Sequence, residues 1–212
     1  MMYPSECRRE RFADTAVHLV SLLGVFAGSV LLLVNAATRL DWAVVIACTV
    51  YCLTMLFSFG VSAGYHLLPW HYWRRAWRRV DHAAIYALIA GTFTPLLVLL
   101  GGFWCLAVLA IVWLLAVPAM IYKLVAPKLE PRWSLASYLA IGWIGLLALP
   151  EMGARLPWPA LAAIVAGGLV YSFGTIFYAR TFQAYRYAIW HGFVLGGTAL
   201  FYSAIWVSAF SA

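Results

Sequence analysis

The longest uncharged stretch of the chain reads HAAIYALIAGTFTPLLVLLGGFWCLAVLAIVWLLAVPAMIY, residues 82–122. As a single helix these 41 residues would extend roughly 60 Å, about twice the hydrocarbon thickness of a bilayer. Gly101 and Gly102 near its middle are typical of a turn, because glycine tolerates backbone conformations that other residues avoid. We therefore predict two membrane-spanning helices here, Ala83–Gly101 and Phe103–Ile121.

The whole chain has a composition suited to lipid. It is 66% hydrophobic and 10% charged, whereas soluble domains are about half apolar and a quarter charged. The predicted fold class is all-α, a polytopic membrane protein with a bundle of seven transmembrane helices in one domain, residues 1–212. The other predicted spans are Thr15–Ala37, Trp42–Tyr65, Trp133–Pro150, Trp158–Ala179 and Tyr187–Ala209. Pro150 is expected to close the fifth span, and Pro95 and Pro118 to kink their helices.

The basic residues predict an orientation. Of the 14 Lys and Arg residues, only Arg39 and Arg155 fall on one side of the predicted spans. The other side holds Arg8, Arg9, Arg11, Arg74, Arg75, Arg78, Arg79, Lys123, Lys128, Arg132, Arg180 and Arg186. Because short cytoplasmic loops are enriched in Lys and Arg, we predict a cytoplasmic N-terminus and an external C-terminus. The net charge of +7 lies in these loops, which favours anionic lipid headgroups over nucleic acid as the partner.

Polar side chains within the predicted spans collect at the predicted cytoplasmic end. They are His18, Ser62, His66, Asp81, His82, Tyr187 and His191. Ser62 and His66 are four residues apart, as are Tyr187 and His191, so each pair shares a helix face. Glu10, Asp14 and His18 form a third stripe of this kind if the first helix extends that far back. Two imidazoles and a carboxylate from three helices could converge on a Zn²⁺ ion with room for a water.

The same residues also fit ordinary structural roles. A buried histidine that only makes hydrogen bonds would explain His18, and a surface ion pair with Arg78 or Arg79 would explain Asp81. Polar residues also favour the interface of any membrane protein. Spacing alone therefore leaves a metal site and a set of structural polar contacts as alternatives.

Several motifs together resemble a known family. The segments SAGYHLLP (62–69), RVDHAAIY (79–86), AGTFTP (90–95) and AIWHGFVL (188–195) are similar to the hemolysin III family, as is ERFADTAVH (10–18). This family is the bacterial branch of the progestin and adipoQ receptor superfamily, which includes the adiponectin receptors. The resemblance covers nearly the whole chain in the same order. It implies seven helices in a bacterial inner (plasma) membrane with the N-terminus in the cytoplasm.

The resemblance also implies a zinc site near the cytoplasmic face. Its ligands would be a histidine that ends the second helix, His66, and two histidines in the seventh helix, of which His191 is one. Asp81 would hold a zinc-bound water, and Ser62 matches a family serine. Tyr187 stands where the other histidine is expected, and Asp14 stands where asparagine is usual. His18 matches a family histidine that is not usually counted as a ligand.

The tyrosine departs from the family pattern, and a neutral phenol is a poorer zinc ligand than imidazole. Zinc could be held by His66 and His191 with Asp81 or Tyr187 completing the shell, could exchange readily, or could be lost.

Two functions of different classes follow from this reading. The first is a zinc-dependent lipid amide or ester hydrolase that acts in membrane lipid homeostasis. In it Asp81 activates the water, and Ser62 or Tyr187 stabilises the oxyanion. The second is a non-enzymatic protein, either a sensor of membrane lipids or the pore-forming cytolysin that the family name suggests. Neither the substrate nor the oligomeric state follows from the sequence.

Overall fold

A computed structural model of the chain describes residues 7–69, 72–126 and 131–211. These ranges are helical and contain no strand. The helices are α1 Arg8–Arg39, α2 Trp42–Leu67, α3 Arg74–Leu100, α4 Gly102–Val125, α5 Pro131–Trp143, α6 Leu149–Arg155, α7 Trp158–Ala179 and α8 Arg186–Phe210. Seven spans in the described residues are long and apolar enough to cross a membrane, which confirms the predicted fold class. Lys128, part of the predicted basic side, lies outside the described residues.

The turn between the third and fourth spans lies where it was predicted. α3 ends at Leu100 and α4 begins at Gly102. Gly101 and Gly102 have φ values of 62° and 76°, a region that a side chain makes costly. Pro95 and Pro118 both lie inside their helices, as expected. This glycine pair therefore divides the long uncharged run into two antiparallel spans.

Two helices begin earlier than predicted. α1 begins at Arg8 rather than Thr15, and α3 begins at Arg74 rather than Ala83. Charged residues end the apolar part of each span, but they do not end the helix, because its backbone hydrogen bonds continue beyond the apolar segment. The extension of α1 brings Asp14 into a regular helix, four residues from His18.

The fifth span differs most from its predicted form. It consists of α5, a 3₁₀ segment Ile144–Ala148 and α6, and it reaches Arg155. Pro150 does not close the span. It lies in the first turn of α6, where a missing N–H group costs no helical hydrogen bond. Gly145 lies so close to α3 that a Cβ there would collide with the Phe93 ring.

The helices surround a divided core, with α3 as the most enclosed span. One buried cluster joins α1, α2 and α8 around Tyr51 and Met55. Another joins α3, α4 and the fifth span around Phe93 and Val112. Large apolar side chains such as Leu23 and Leu114 are exposed on the outer faces, as lipid contact requires. A cavity lies between the clusters and reaches one end of the bundle.

Candidate metal centre

The centre of the polar cluster is Asp14, on α1. Its carboxylate is buried and faces histidines from two other helices. Nδ1 of His66, on α2, lies 2.9 Å from Oδ2, and Nδ1 of His191, on α8, lies 2.8 Å from Oδ1. Ligand atoms of all three residues lie within 4.8 Å of one another. They form a candidate metal-binding group of one carboxylate and two imidazoles.

Helix geometry explains why these residues meet. In α1 the buried positions Asp14, His18, Ser21 and Val25 recur at intervals of three and four residues, so one stripe faces the bundle. His66 lies in the last turn of α2 and His191 in the second turn of α8. Because neighbouring spans alternate in direction, the start of α1, the end of α2 and the start of α8 lie at the same end of the bundle. We call this the Asp14 end.

His18 and Ser62 link the cluster into a network. Nδ1 of His18 donates to the backbone carbonyl oxygen of Asp14 over 2.8 Å, since a carbonyl oxygen can only accept. Ser62 Oγ lies 3.3 Å from Nε2 of His18 and 3.3 Å from Nε2 of His191. In the neutral ring, Nε2 of His18 must then accept. The single Ser62 proton can therefore be donated to Nε2 of His18 or, where Nε2 of His191 also accepts, to that atom instead.

The chemistry of the donor set tests whether a metal fits. The Nδ1 atoms of His66 and His191 lie 2.9 and 2.8 Å from the two carboxylate oxygens of Asp14, so each neutral ring can donate a proton to this carboxylate. Loss of those two protons would leave two imidazole lone pairs and one carboxylate facing one another. Zinc binds this combination of imidazole and carboxylate, so the residues present fit a zinc ion.

Asp81 is held separately from this group. Its Oδ2 lies 3.2 Å from Nδ1 of the adjacent His82. The backbone carbonyl of His82 accepts from the Tyr138 hydroxyl over 2.8 Å, which fixes the start of α3 against α5. Asp81 lines the same cavity as His66 and His191. The structure thus places it on the wall of the cavity, with His82 as its hydrogen-bond partner.

Tyr187 contributes its aromatic ring to the site. The centroids of the Tyr187 and His66 rings lie 5.0 Å apart, and the angle between the two ring planes is 70°. Its hydroxyl accepts from Nη2 of Arg186 over 2.6 Å. The phenol oxygen is therefore engaged by the neighbouring arginine, while the ring packs against one histidine of the group.

The cavity beside the cluster has a volume of about 1160 Å³. Its polar end includes His18, Ser62, His66, Asp81 and His191. Most of the remaining wall is apolar, contributed by α3, the fifth span and α7. Asp14 is not among the described residues that line it. The group therefore borders the cavity through His66 and His191.

Comparison with known proteins agrees with the sequence motifs. A family model described as haemolysin-III related matches residues 8–202. This chain belongs to the haemolysin III family. Hemolysin-3 of Bacillus cereus is 31% identical to it over 198 residues, 93% of this chain and 90% of that protein. The hemolysin-3 homolog of Bacillus subtilis is 32% identical over 198 residues, 93% of each.

The haemolysin III motifs locate two of the three members of the group. His66 and His191 both lie in it, whereas its third member is Asp14 rather than a residue of the seventh span. In the sequence, only the four-residue spacing of Asp14 and His18, which places them on one helix face, indicated that this carboxylate belongs to the polar cluster. Spacing does not say which side of α1 faces α2 and α8, so the sequence could not assign Asp14 as a ligand.

Proposed function

We propose that this haemolysin III family protein is a zinc-dependent membrane hydrolase that cleaves an amide or ester bond of a lipid. The observation that supports this most directly is the buried Asp14, His66 and His191 group at the polar end of a largely apolar cavity. A lipid presents a polar amide or ester next to long apolar chains, which matches such a cavity. An integral membrane protein also meets this substrate without extracting it from the bilayer.

The zinc ion would be held by Asp14, His66 and His191. Two histidines and one carboxylate are a frequent donor set of catalytic zinc. Bound zinc would lower the pKa of a coordinated water to about 7 and so supply a hydroxide nucleophile at neutral pH. The reaction adds the water oxygen to the carbonyl carbon and breaks the C–N or C–O bond. Its products are a carboxylic acid and an amine or alcohol.

Two further residues of the cavity wall have proposed roles. Asp81 accepts the proton of the attacking water and returns it to the leaving group. The Ser62 hydroxyl donates to the oxyanion that develops on the carbonyl oxygen. Ser62 is preferred to Tyr187 for this role because its Oγ lies 3.3 Å from Nε2 of His191, a member of the candidate metal-binding group. Asp81→Asn tests the first role, and Tyr187→Phe tests the choice of Ser62 over Tyr187 for the second.

In the cell such an enzyme would act in membrane lipid homeostasis, from a bacterial inner membrane with its N-terminus in the cytoplasm. Hydrolysis of an acyl amide or ester changes the acyl chains of the membrane directly. A deletion strain should therefore differ from its parent in fatty-acid composition. An unchanged composition and fluidity would argue against this role.

The decisive experiment compares purified wild-type protein with His191→Ala. The wild type should contain about one zinc per chain and release fatty acid from a panel of lipid amides and esters, measured by mass spectrometry. His191→Ala should lose both. Thr198→Ala is the matched control for zinc content, because Thr198 is also buried on α8 but bonds to Tyr171 rather than to the metal-binding group. Wild-type protein that neither binds zinc nor hydrolyses any member of the panel would refute the proposal.

A second candidate is membrane lysis, which is favoured by the name hemolysin-3 of both relatives. A pore-forming protein should release dye from liposomes at low protein-to-lipid ratios. The wild type and the His191→Ala variant should then release dye equally well. Release that depends on His191 would instead point to hydrolysis of the liposome lipid. An absence of release would end the lytic interpretation.

A further inference from the structure

We propose that four arginines at the Asp14 end of the cavity bind the phosphate group of an anionic phospholipid. Arg74, Arg75 and Arg78 lie in the first turns of α3, and Arg186 is the first residue of α8. All four line the same cavity as His66 and His191. Arg75 and Arg78 are also exposed, so they lie where the cavity meets the surface. We call these four residues the arginine rim.

The rim gives the cavity a strong positive charge. Asp81 is the only carboxylate among the described residues that line the cavity, and its Oδ2 faces His82. Four guanidinium groups therefore oppose one carboxylate, which is itself engaged. Guanidinium binds phosphate oxygens through paired N–H donors, which makes arginine well suited to a phosphate monoester or diester.

Two arginines of the rim are held in position by the protein. Arg74 donates to the backbone carbonyl of Leu68 over 3.0 Å, at the end of α2. Arg186 donates to the Tyr187 hydroxyl and lies over the Tyr187 ring, with Cζ 4.5 Å from its centroid. A side chain that is already ordered loses less entropy when it binds a ligand. The rim is thus partly preorganised.

Membrane topology alone would not require this arrangement. Arg79, next to Arg78, donates to the backbone carbonyls of Leu124 and Ala126, and so ties α3 to the end of α4. Arg9 is exposed on α1. Both contribute to the basic side without lining the cavity within the described residues. Only a subset of the basic residues at this end therefore surrounds the cavity.

The position of the rim along the helices fits a lipid with a phosphate headgroup. Arg78 precedes Asp81 by three residues and Arg186 precedes His191 by five, a rise of roughly 4.5 and 7.5 Å. A phosphate at the rim would place the glycerol and its acyl esters level with His191, with the chains along the apolar wall. The choice of this lipid as substrate rests on the proposed function, whereas its binding does not.

The experiment measures binding to full-length protein in a maltoside detergent after the metal has been removed with a chelator. The probes are dioctanoyl phosphatidic acid, dioctanoylglycerol and inorganic phosphate, titrated by native mass spectrometry. Phosphatidic acid should bind at least about tenfold more tightly than dioctanoylglycerol, which has the same chains without the phosphate. Arg75→Gln and Arg78→Gln should each weaken this binding by about fivefold, and the double variant by more.

Arg9→Gln is the matched control, because it removes the same charge at the same end of the bundle. It should leave the binding unchanged. Equal binding of the two lipids, or equal weakening by Arg9→Gln, would overturn the proposal. Displacement of phosphatidic acid by an equal concentration of inorganic phosphate would also overturn it, since the site would then select free phosphate. Because these measurements use metal-free protein, a failure of hydrolysis does not affect them.

Discussion

Asp14 and Asp81 are two largely buried carboxylates that are held in different ways. The Asp14 side chain is 3% exposed and lies between imidazoles from α2 and α8. The Asp81 side chain is 13% exposed, pairs with its sequence neighbour His82 and faces the cavity. The surroundings of Asp14 depend on the packing of three helices, whereas the hydrogen bond of Asp81 depends on local structure in α3. The proposed roles follow this difference, with Asp14 as a ligand of the metal and Asp81 as the base for the reacting water.

The largest effect is expected from Asp14→Asn, which keeps the shape of the side chain and removes its charge. Loss of a direct ligand should lower zinc affinity by more than the roughly 10–100-fold seen when a group that only orients a ligand is lost. Zinc affinity can be measured by competition with a chelator. Asp41→Asn makes the same change at the exposed start of α2 and should have no effect. A loss within 10–100-fold would make Asp14 an orienting residue.

Asp81→Asn should separate catalysis from metal binding. We expect hydrolysis to fall by about 10²–10⁴-fold, the usual contribution of a general base, while zinc affinity changes by less than tenfold. The two quantities are measured on the same preparation. If Asp81→Asn loses zinc together with activity, Asp81 is itself a metal ligand, and the two carboxylates do not have different roles.

The smallest effect is expected from Tyr187→Phe. It removes a hydroxyl that accepts from Arg186 and keeps the ring against His66. Zinc affinity and hydrolysis should each change by less than about tenfold, the value of one hydrogen bond. A larger fall in hydrolysis at constant zinc would assign the oxyanion role to Tyr187. Tyr187→His instead adds an imidazole at this position, and it should raise zinc occupancy.

Most of the fold follows from the sequence because a bilayer imposes lengths on apolar segments. Gly101 and Gly102 located the division of the long run, since few other residues adopt a positive φ. The irregular fifth span was not predicted. In its 3₁₀ segment Gly145 lies close to Phe93, a tertiary contact that no local pattern records. Pro150 was read as a terminus because proline starts and ends helices alike.

The candidate site was predicted only in part, for a geometric reason. Alternating spans put His66, Asp81 and His191 at one end of the bundle, and counting helices is enough to reach that result. Which carboxylate meets which imidazole depends on the rotation of each helix about its axis. A rotation of a few tens of degrees in α1 would turn Asp14 away from His191, and hydropathy constrains such rotations weakly in lipid.

The contact between Asp14 and His191 also has a consequence for biogenesis. The two residues are separated by 177 positions and lie on the first and the seventh of the described spans. At 5–20 residues per second, roughly 10–35 s pass between their syntheses. During that interval Asp14 must wait in the membrane without one of its two imidazole partners. The candidate metal-binding group is therefore assembled late, because it needs the seventh of the described spans.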